Sequence, residues 1–267
     1  MSPKGRPEGE YRSAQREGRP MSPKGRPEGE YRSAQRERSP MSAVVTAVPP
    51  SAALDDDLAQ GLAALGVAVS QAGRAQLLAY IGLLGKWNKT YNLTAIRQPE
   101  RMVTHHLLDA LAVLPHLPPR PDLRLLDVGS GGGVPGIPIA IVRPEWRVTL
   151  VDPNHKKVTF LTQAAIELRL RNVDAQAVRV EDFAPGHAFD IVISRAFSDL
   201  ATFAATSARH LAPRGLLVAM KGVHPDAELA ELPRDLVVTA KPALAVPGLD
   251  GQRHLIVMQR AADVEQQ

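Results

Sequence analysis

The sequence contains no cysteine. That absence excludes disulfides, zinc–thiolate sites, cysteine-ligated iron–sulfur clusters and any reaction run through a cysteine nucleophile. Aromatic residues are scarce, at 4% of 267 residues. No apolar run approaches the roughly 20 residues needed to cross a bilayer. The N-terminus lacks the apolar core of a signal peptide, so a cytoplasmic protein is expected. The main body of the chain also lacks a charge excess. The formal net charge is +4, but residues 1–40 hold 10 of the 32 basic and 6 of the 28 acidic residues, leaving 22 of each. A basic chain invites a nucleic-acid reading, yet here any such surface on the body must come from local clustering.

The stretch 1–17 recurs unchanged as 21–37, a tandem duplication rich in Pro, Gly, Arg and Glu. It has almost nothing to bury and is expected to be disordered. Residues 41–53 read as a small-residue linker. Three organisational units are therefore expected: a tail and linker over 1–53, a helical cap over 54–118, and a larger domain over 119–262. In the cap, Asp55 to Asp57 suit a helix N-terminus. Leu77, Tyr80, Ile81 and Leu84 share one face of a second helix over about 70–87, and a third covers about 99–114.

The chain is organised around LLDVGSGGGVPG, residues 125–136. Leu125, Leu126 and Val128 read as a buried parallel strand, and Gly129, Gly131, Gly132 and Gly133 as a turn nearly free of side chains. Pro135 stands where a helix begins. Backbone N–H groups at such a turn can approach a ligand closely because no Cβ intervenes. A second apolar run ends at Asp152, about 20 residues on, where a carboxylate can accept from ribose hydroxyls. Two cofactor patterns fit these glycines. Gly131, Gly133 and Gly136 match the dinucleotide form G-x-G-x-x-G. Gly129, Gly131 and Gly133, read from Asp127, match D-x-G-x-G-x-G, the first motif of class I S-adenosylmethionine-dependent methyltransferases. A carboxylate two positions before the first glycine suits a cofactor with a cationic amino group, and suits a pyrophosphate poorly because like charges repel. A turn that holds no ligand is the third reading.

Downstream, strands are predicted at 123–128, 147–151, 174–180, 189–194, 215–220, 235–240 and 253–259, with helices at 135–142, 156–170, 199–211 and 225–232. This alternation argues a doubly wound α/β sheet, mostly parallel and seven-stranded, with an antiparallel pair at one edge. Ligands in such a sheet sit at the carboxyl ends of the strands.

Six stretches then combine: KWNKTYNLTAI (86–96), HHLLDAL (105–111), the glycine segment 125–144, ISRAF (193–197), MKG (220–222) and LDGQRHLIV (249–257). Together they resemble the glucose-inhibited-division-protein-B family, also called RsmG, over about residues 54–260. The resemblance implies a class I methyltransferase fold, S-adenosylmethionine as cofactor, and transfer of its methyl to N7 of a guanine in 16S ribosomal RNA. It also implies a monomer that needs neither metal nor membrane. The expected cofactor contacts are Asp127, Gly129, Gly131, Gly133, Val134, Asp152, Val180, Glu181 and Arg195, with Val180 and Glu181 against the adenine. Arg195 and Lys221 are the expected catalytic residues. The RNA is expected at Lys86, Asn88, Asn92, His105 and His106.

Two features bear on the chemistry. No Asn/Asp-Pro-Pro-aromatic stretch follows strand four, where methyltransferases acting on exocyclic amines carry one. Guanine N7 has an in-plane lone pair and no proton to lose, so it does not need that device. Trp87 and Tyr91, flanked by Lys86 and Lys89, either stack bases beside phosphates or pin the cap to the sheet.

Overall fold

The computed structural model describes residues 52–195, 197, 199–222 and 226–265. The expected tail and linker therefore fall outside the described residues, apart from the first residues of helix α1. The cap consists of α1 (Ala52–Ala64), α2 (Gln71–Tyr91) and α3 (Pro99–Met102), which continues through a π-helical stretch, Val103–Leu108, into α4 (Asp109–Leu111). The remainder alternates β1 (Arg124–Val128), α5 (Gly136–Val142), β2 (Arg147–Val151), α6 (His155–Glu167), β3 (Val173–Gln176), β4 (Phe189–Arg195), α7 (Leu200–Ser207) and β5 (Leu211–Lys221). It closes with α8 (Asp226–Leu229), β6 (Leu236–Ala240), β7 (His254–Arg260) and α9 (Ala261–Val264).

The strands form one seven-stranded sheet in the order β3-β2-β1-β4-β5-β7-β6. β7 runs antiparallel to both β5 and β6, and the other pairings are parallel. This is the expected mostly parallel sheet with an antiparallel edge. Alternation along the strands divides the core between two faces. Leu125, Ile191 and Ile193 join one apolar cluster, and Leu126 and Val192 the other. The first cluster also contains Leu58, Leu77, Tyr80, Ile81 and Leu84. The cap thus shares one continuous core with the sheet.

Local chemistry sets the helix ends. Ser70 caps α2 by accepting from the Gly73 amide at 3.1 Å, and Asn92 ends it in the left-handed region at φ 50°. Asn154 caps α6 through its side chain. β3 stops at Gln176, short of the expected 180, because the Val180 carbonyl accepts from the side chains of Arg209 and His210 instead of a strand neighbour. The expected helix over 199–211 ends as a short 3-10 turn, Ala208–His210, before a β5 that starts earlier than expected.

Two glycines give opposite expectations. A Cβ at Gly136 would lie 2.2 Å from Leu150 Cδ2 and 2.8 Å from Asp127 Oδ2, whereas one at Gly82, inside α2, would meet nothing within 4 Å. Gly136→Ala should destabilise by about 1–3 kcal/mol through overpacking. Gly82→Ala should stabilise by about 0.5–1 kcal/mol, because alanine loses less backbone entropy in a helix. Denaturant titration of both variants beside the wild type checks the pair of signs.

Candidate active site

The loops after β1, β2, β3, β4 and β5 lie along one edge of the sheet, in the order the strands dictate. The glycine loop follows β1. Gly129, Gly131 and Gly133 take φ of 70°, 58° and 90°, a region other residues enter only with strain. Their surroundings differ. At Gly133 a Cβ would strike Ile137 Cγ1 at 2.6 Å, so glycine there serves packing. At Gly131 the nearest atom would be the Gly129 carbonyl oxygen at 3.8 Å, so the space above it is open. The loop is held from beneath: the Gly129 and Ser130 amides donate to the Val151 carbonyl at 2.9 and 3.1 Å. From the cap, the fully buried Tyr80 hydroxyl donates to the Gly132 carbonyl at 2.6 Å. Val134 is buried with its side chain in the apolar core, so it offers a ligand only backbone.

Two buried carboxylates frame this loop. Asp127 Oδ2 accepts from the Gly136 amide at 2.9 Å, and Asp127 Oδ1 has no hydrogen-bond partner among the described residues. Burial pushes the Asp127 carboxyl up to about 7, against the opposing pull of the Gly136 amide and the Arg195 cation. Asp152 Oδ2 accepts from the Gly131 amide at 3.0 Å and from Lys157 Nζ at 3.4 Å, while Oδ1 accepts from the Asn154 amide at 2.9 Å. Asp152 thus holds the middle of the loop at Gly131, and Asp127 holds its far end at Gly136. An unpartnered acceptor beside an uncovered backbone turn fits a ligand with a cationic amino group and a hydroxylated sugar.

Val180 and Glu181 sit in the loop after β3, on the far side of β2 from the glycines. Val180 is buried and Glu181 exposed. Arg209 donates to the carbonyls of Val180, Glu181 and Phe183 and fixes this turn.

On the other side of β1, Arg195 ends β4. Its Nη1 donates to the His105 carbonyl at 2.9 Å and to Asp109 Oδ2 at 3.2 Å. The other oxygen of Asp109 accepts from Arg253 Nε at 2.9 Å. Asp109 is buried, and its one carboxylate joins the cap to the ends of β4 and β7. Lys221, at the end of β5, pairs with Glu228 at 2.7 Å and donates to the Phe197 carbonyl at 3.3 Å. Its side chain is only 12% exposed.

The expected RNA contacts separate. Lys86 and Asn92 are exposed and His105 is half-buried, with its Nδ1 bonded to the Arg101 carbonyl. Asn88 and His106 correct the expectation, because each is 4% exposed and engaged inside the protein. Asn88 Oδ1 accepts from the Thr94 amide at 2.9 Å, and His106 Nε2 bonds the Thr94 hydroxyl at 2.9 Å. Burial first, then the nearby Arg195 cation, lowers the His106 imidazole to about 4, so it is neutral near pH 7. Both side chains brace the 92–96 loop. Trp87 packs on Phe160 at 5.6 Å and stacks with Tyr91 at 5.3 Å. It pins the cap to α6, while Tyr91 carries the stack outward at 39% exposure. Tyr80 and Arg253 were not assigned to the site from the sequence, whereas Asp109 was expected to face the substrate together with one of the two histidines. Tyr80 reads there as one more apolar position of α2, and Arg253 as an interior letter of LDGQRHLIV.

Among the described residues no group of three or more His, Asp or Glu is placed to hold a metal, and no helix is long and apolar enough to cross a membrane.

The raised Asp127 carboxyl carries a linkage consequence. The folded state holds this proton more tightly than the unfolded chain, whose carboxyl titrates near 3.8. Its contribution to stability is full below that value and is lost as pH rises through about 7. Asp127→Asn removes the ionisation. The melting temperature of that variant relative to the wild type should therefore climb between pH 4 and 8; a flat difference contradicts the burial of an ionisable group here.

Comparison with known proteins agrees with this geometry. The family described as GidB, rRNA small subunit methyltransferase G, matches residues 74–256. A ribosomal RNA small subunit methyltransferase G from Pseudomonas paraeruginosa is 54% identical over 208 residues, covering 78% of this chain and 96% of that protein. The protein of that name from Nitrosospira multiformis is 51% identical over 212 residues, covering 76% of this chain and 96% of its own length. The matched span holds β1 through β5, the glycine loop, both framing carboxylates, Arg195 and Arg253. The chain belongs to the GidB family of small-subunit rRNA methyltransferases.

Proposed function

We propose that this chain transfers the methyl group of S-adenosylmethionine to N7 of a guanine in 16S ribosomal RNA. The observation that carries the reading is the unpartnered Asp127 Oδ1 beside the open turn at Gly131, framed by Asp152. Bound there, S-adenosylmethionine supplies an electrophilic methyl on a positively charged sulfur. Asp127 would take its amino group and Asp152 its ribose hydroxyls, while the glycine loop leaves room for backbone contact. The turn at Val180 and Glu181 would cover the adenine.

The protein's share of the reaction is alignment. N7 has a free lone pair, so no side chain must first remove a proton. The two histidines of HHLLDAL agree with this: His106 is buried and neutral, and the His105 ring is tied to its own helix. Arg195 is held rigidly by Asp109 and the His105 carbonyl, a fixed cation between cofactor loop and cap. Lys221 is the second cation of this edge, restrained by Glu228. Of the expected RNA contacts, Lys86, Asn92 and the half-buried His105 stay open on the cap, with Tyr91 as a stacking ring.

Calorimetry with S-adenosylhomocysteine, which keeps the amino group and ribose, tests the pocket. The wild type should bind it and gain melting temperature by mass action. Binding near pH 7 should release protons as the Asp127 carboxylate gains a cationic partner, seen as a dependence on buffer ionisation enthalpy. Gly131→Val should abolish binding, because a branched side chain fills the open turn. Mass spectrometry of 16S rRNA methylated by the wild type identifies the atom. Methyl on an exocyclic amine would overturn the N7 assignment.

The pH dependence tests the mechanism separately. Without a general base, kcat should vary less than about threefold between pH 6.5 and 8.5, whereas a neutral imidazole base of ordinary pKa, about 6.5, would impose an acidic limb. A limb that vanishes in His105→Ala would defeat the base-free reading.

A further inference from the structure

We propose that Arg253 and Arg195 form a phosphate clamp that seats the RNA backbone next to the reacting guanine, with Asp109 as the positioning residue between them. This rests on the RNA methyl-transfer reading above. Asp109 accepts from Arg195 on one oxygen, at 3.2 Å, and from Arg253 on the other, at 2.9 Å. The Asp109 side chain is 4% exposed, while the two arginine side chains are 25% and 27% exposed. One buried anion therefore fixes two partly exposed cations, and the cluster keeps one positive charge unneutralised.

The donor inventory shows what is left over. A guanidinium has five N–H groups. Arg195 spends two, on the His105 carbonyl and Asp109. Arg253 also spends two, on Asp109 and the Gln252 carbonyl at 2.9 Å. Three donors on each have no partner among the described residues. The surroundings of Arg253 are open too. A Cβ at Gly222 would meet only Arg253 Nη1, at 3.8 Å, among the described residues, and one at Gly251 would reach it at 4.0 Å.

Position selects the ligand. β7 lies three strands from β1 in the sheet order, roughly 14 Å at about 4.8 Å per strand. The Arg253 backbone thus belongs to the substrate half of the edge, away from the glycine loop. An arginine commonly reads guanine through O6 and N7 together. Here N7 must keep its lone pair for the methyl, so donating to it would block the reaction. The planar fork instead suits bidentate binding of a phosphate.

Arg253→Gln and Arg253→Lys test the clamp, in methylation of 16S rRNA and in equilibrium binding of that RNA over a salt series. Arg253→Gln should raise KM for RNA at least tenfold while kcat and S-adenosylhomocysteine affinity stay within twofold. Its plot of log K against log salt should flatten by about 0.7–0.9, the counterion release of one phosphate contact. Arg253→Lys should regain the salt slope but only part of the affinity, because an ammonium lacks the fork. A purely structural role would lower melting temperature and cofactor affinity together and leave the salt slope alone; that result, or an unchanged KM, overturns the clamp. Wild-type protein that binds the RNA with the same Arg253-dependent slope but never methylates it would sink the methyl-transfer reading and leave the clamp standing. No RNA binding by the wild type sinks both.

Discussion

Everything at the carboxyl edge of this sheet depends on a carboxylate with no access to water. Asp127 lies one residue before the end of the first strand, inside the core, and accepts the first amide of α5 through one oxygen. That bond sets the distance between strand and helix, and hence the span of the glycine loop between them. The closeness explains Gly136, where Leu150 and Asp127 leave no room for a side chain. It also explains the cost: a buried carboxyl with one oxygen unpartnered is held against its own ionisation. Such a group weakens the empty protein and strengthens a complex in which a cation meets it. Strain of this kind at a binding site is common in folds that trade stability for function.

The cap is as much a part of the site as the sheet. Its second helix reaches the glycine loop through Tyr80, and its third reaches the end of β4 through Asp109. The π-helical stretch Val103–Leu108 lies immediately before Asp109, and π-helical stretches occur often at functional sites. Asn88 and His106 hold the loop between the second and third helices from inside, which leaves Tyr91 and Asn92 outside it. A cap bonded into the loop it covers cannot swing away as a separate lid without breaking the Tyr80–Gly132 hydrogen bond and the Asp109–Arg195 ion pair. The glycine loop and the end of β4 are therefore tied to the same cap, with Arg195 touching the cap and lying near enough to Asp127 to oppose its raised pKa.

The division between what sequence and structure reveal follows the range of the interactions. Alternating apolar strands and the spacing of glycines are local, and the strands and the glycine turn were legible from them. The residues misplaced from sequence are those whose exposure is set by packing, even where the bonded partner is only 6 or 12 positions away. Asn88 and His106 look like polar groups offered to RNA until the fold buries both against Thr94.

By itself the sequence determined the architecture, the glycine turn and the two carboxylates that bracket it, because periodicity, backbone permissiveness and short spacing are written in neighbouring residues. Only the tertiary structure decided which polar groups remain available. Tyr80 is joined to Gly132 across 52 positions, and Asp109 is joined to Arg195 and Arg253 across 86 and 144. No local pattern encodes such pairings, since they exist only once burial has removed water as the competing partner.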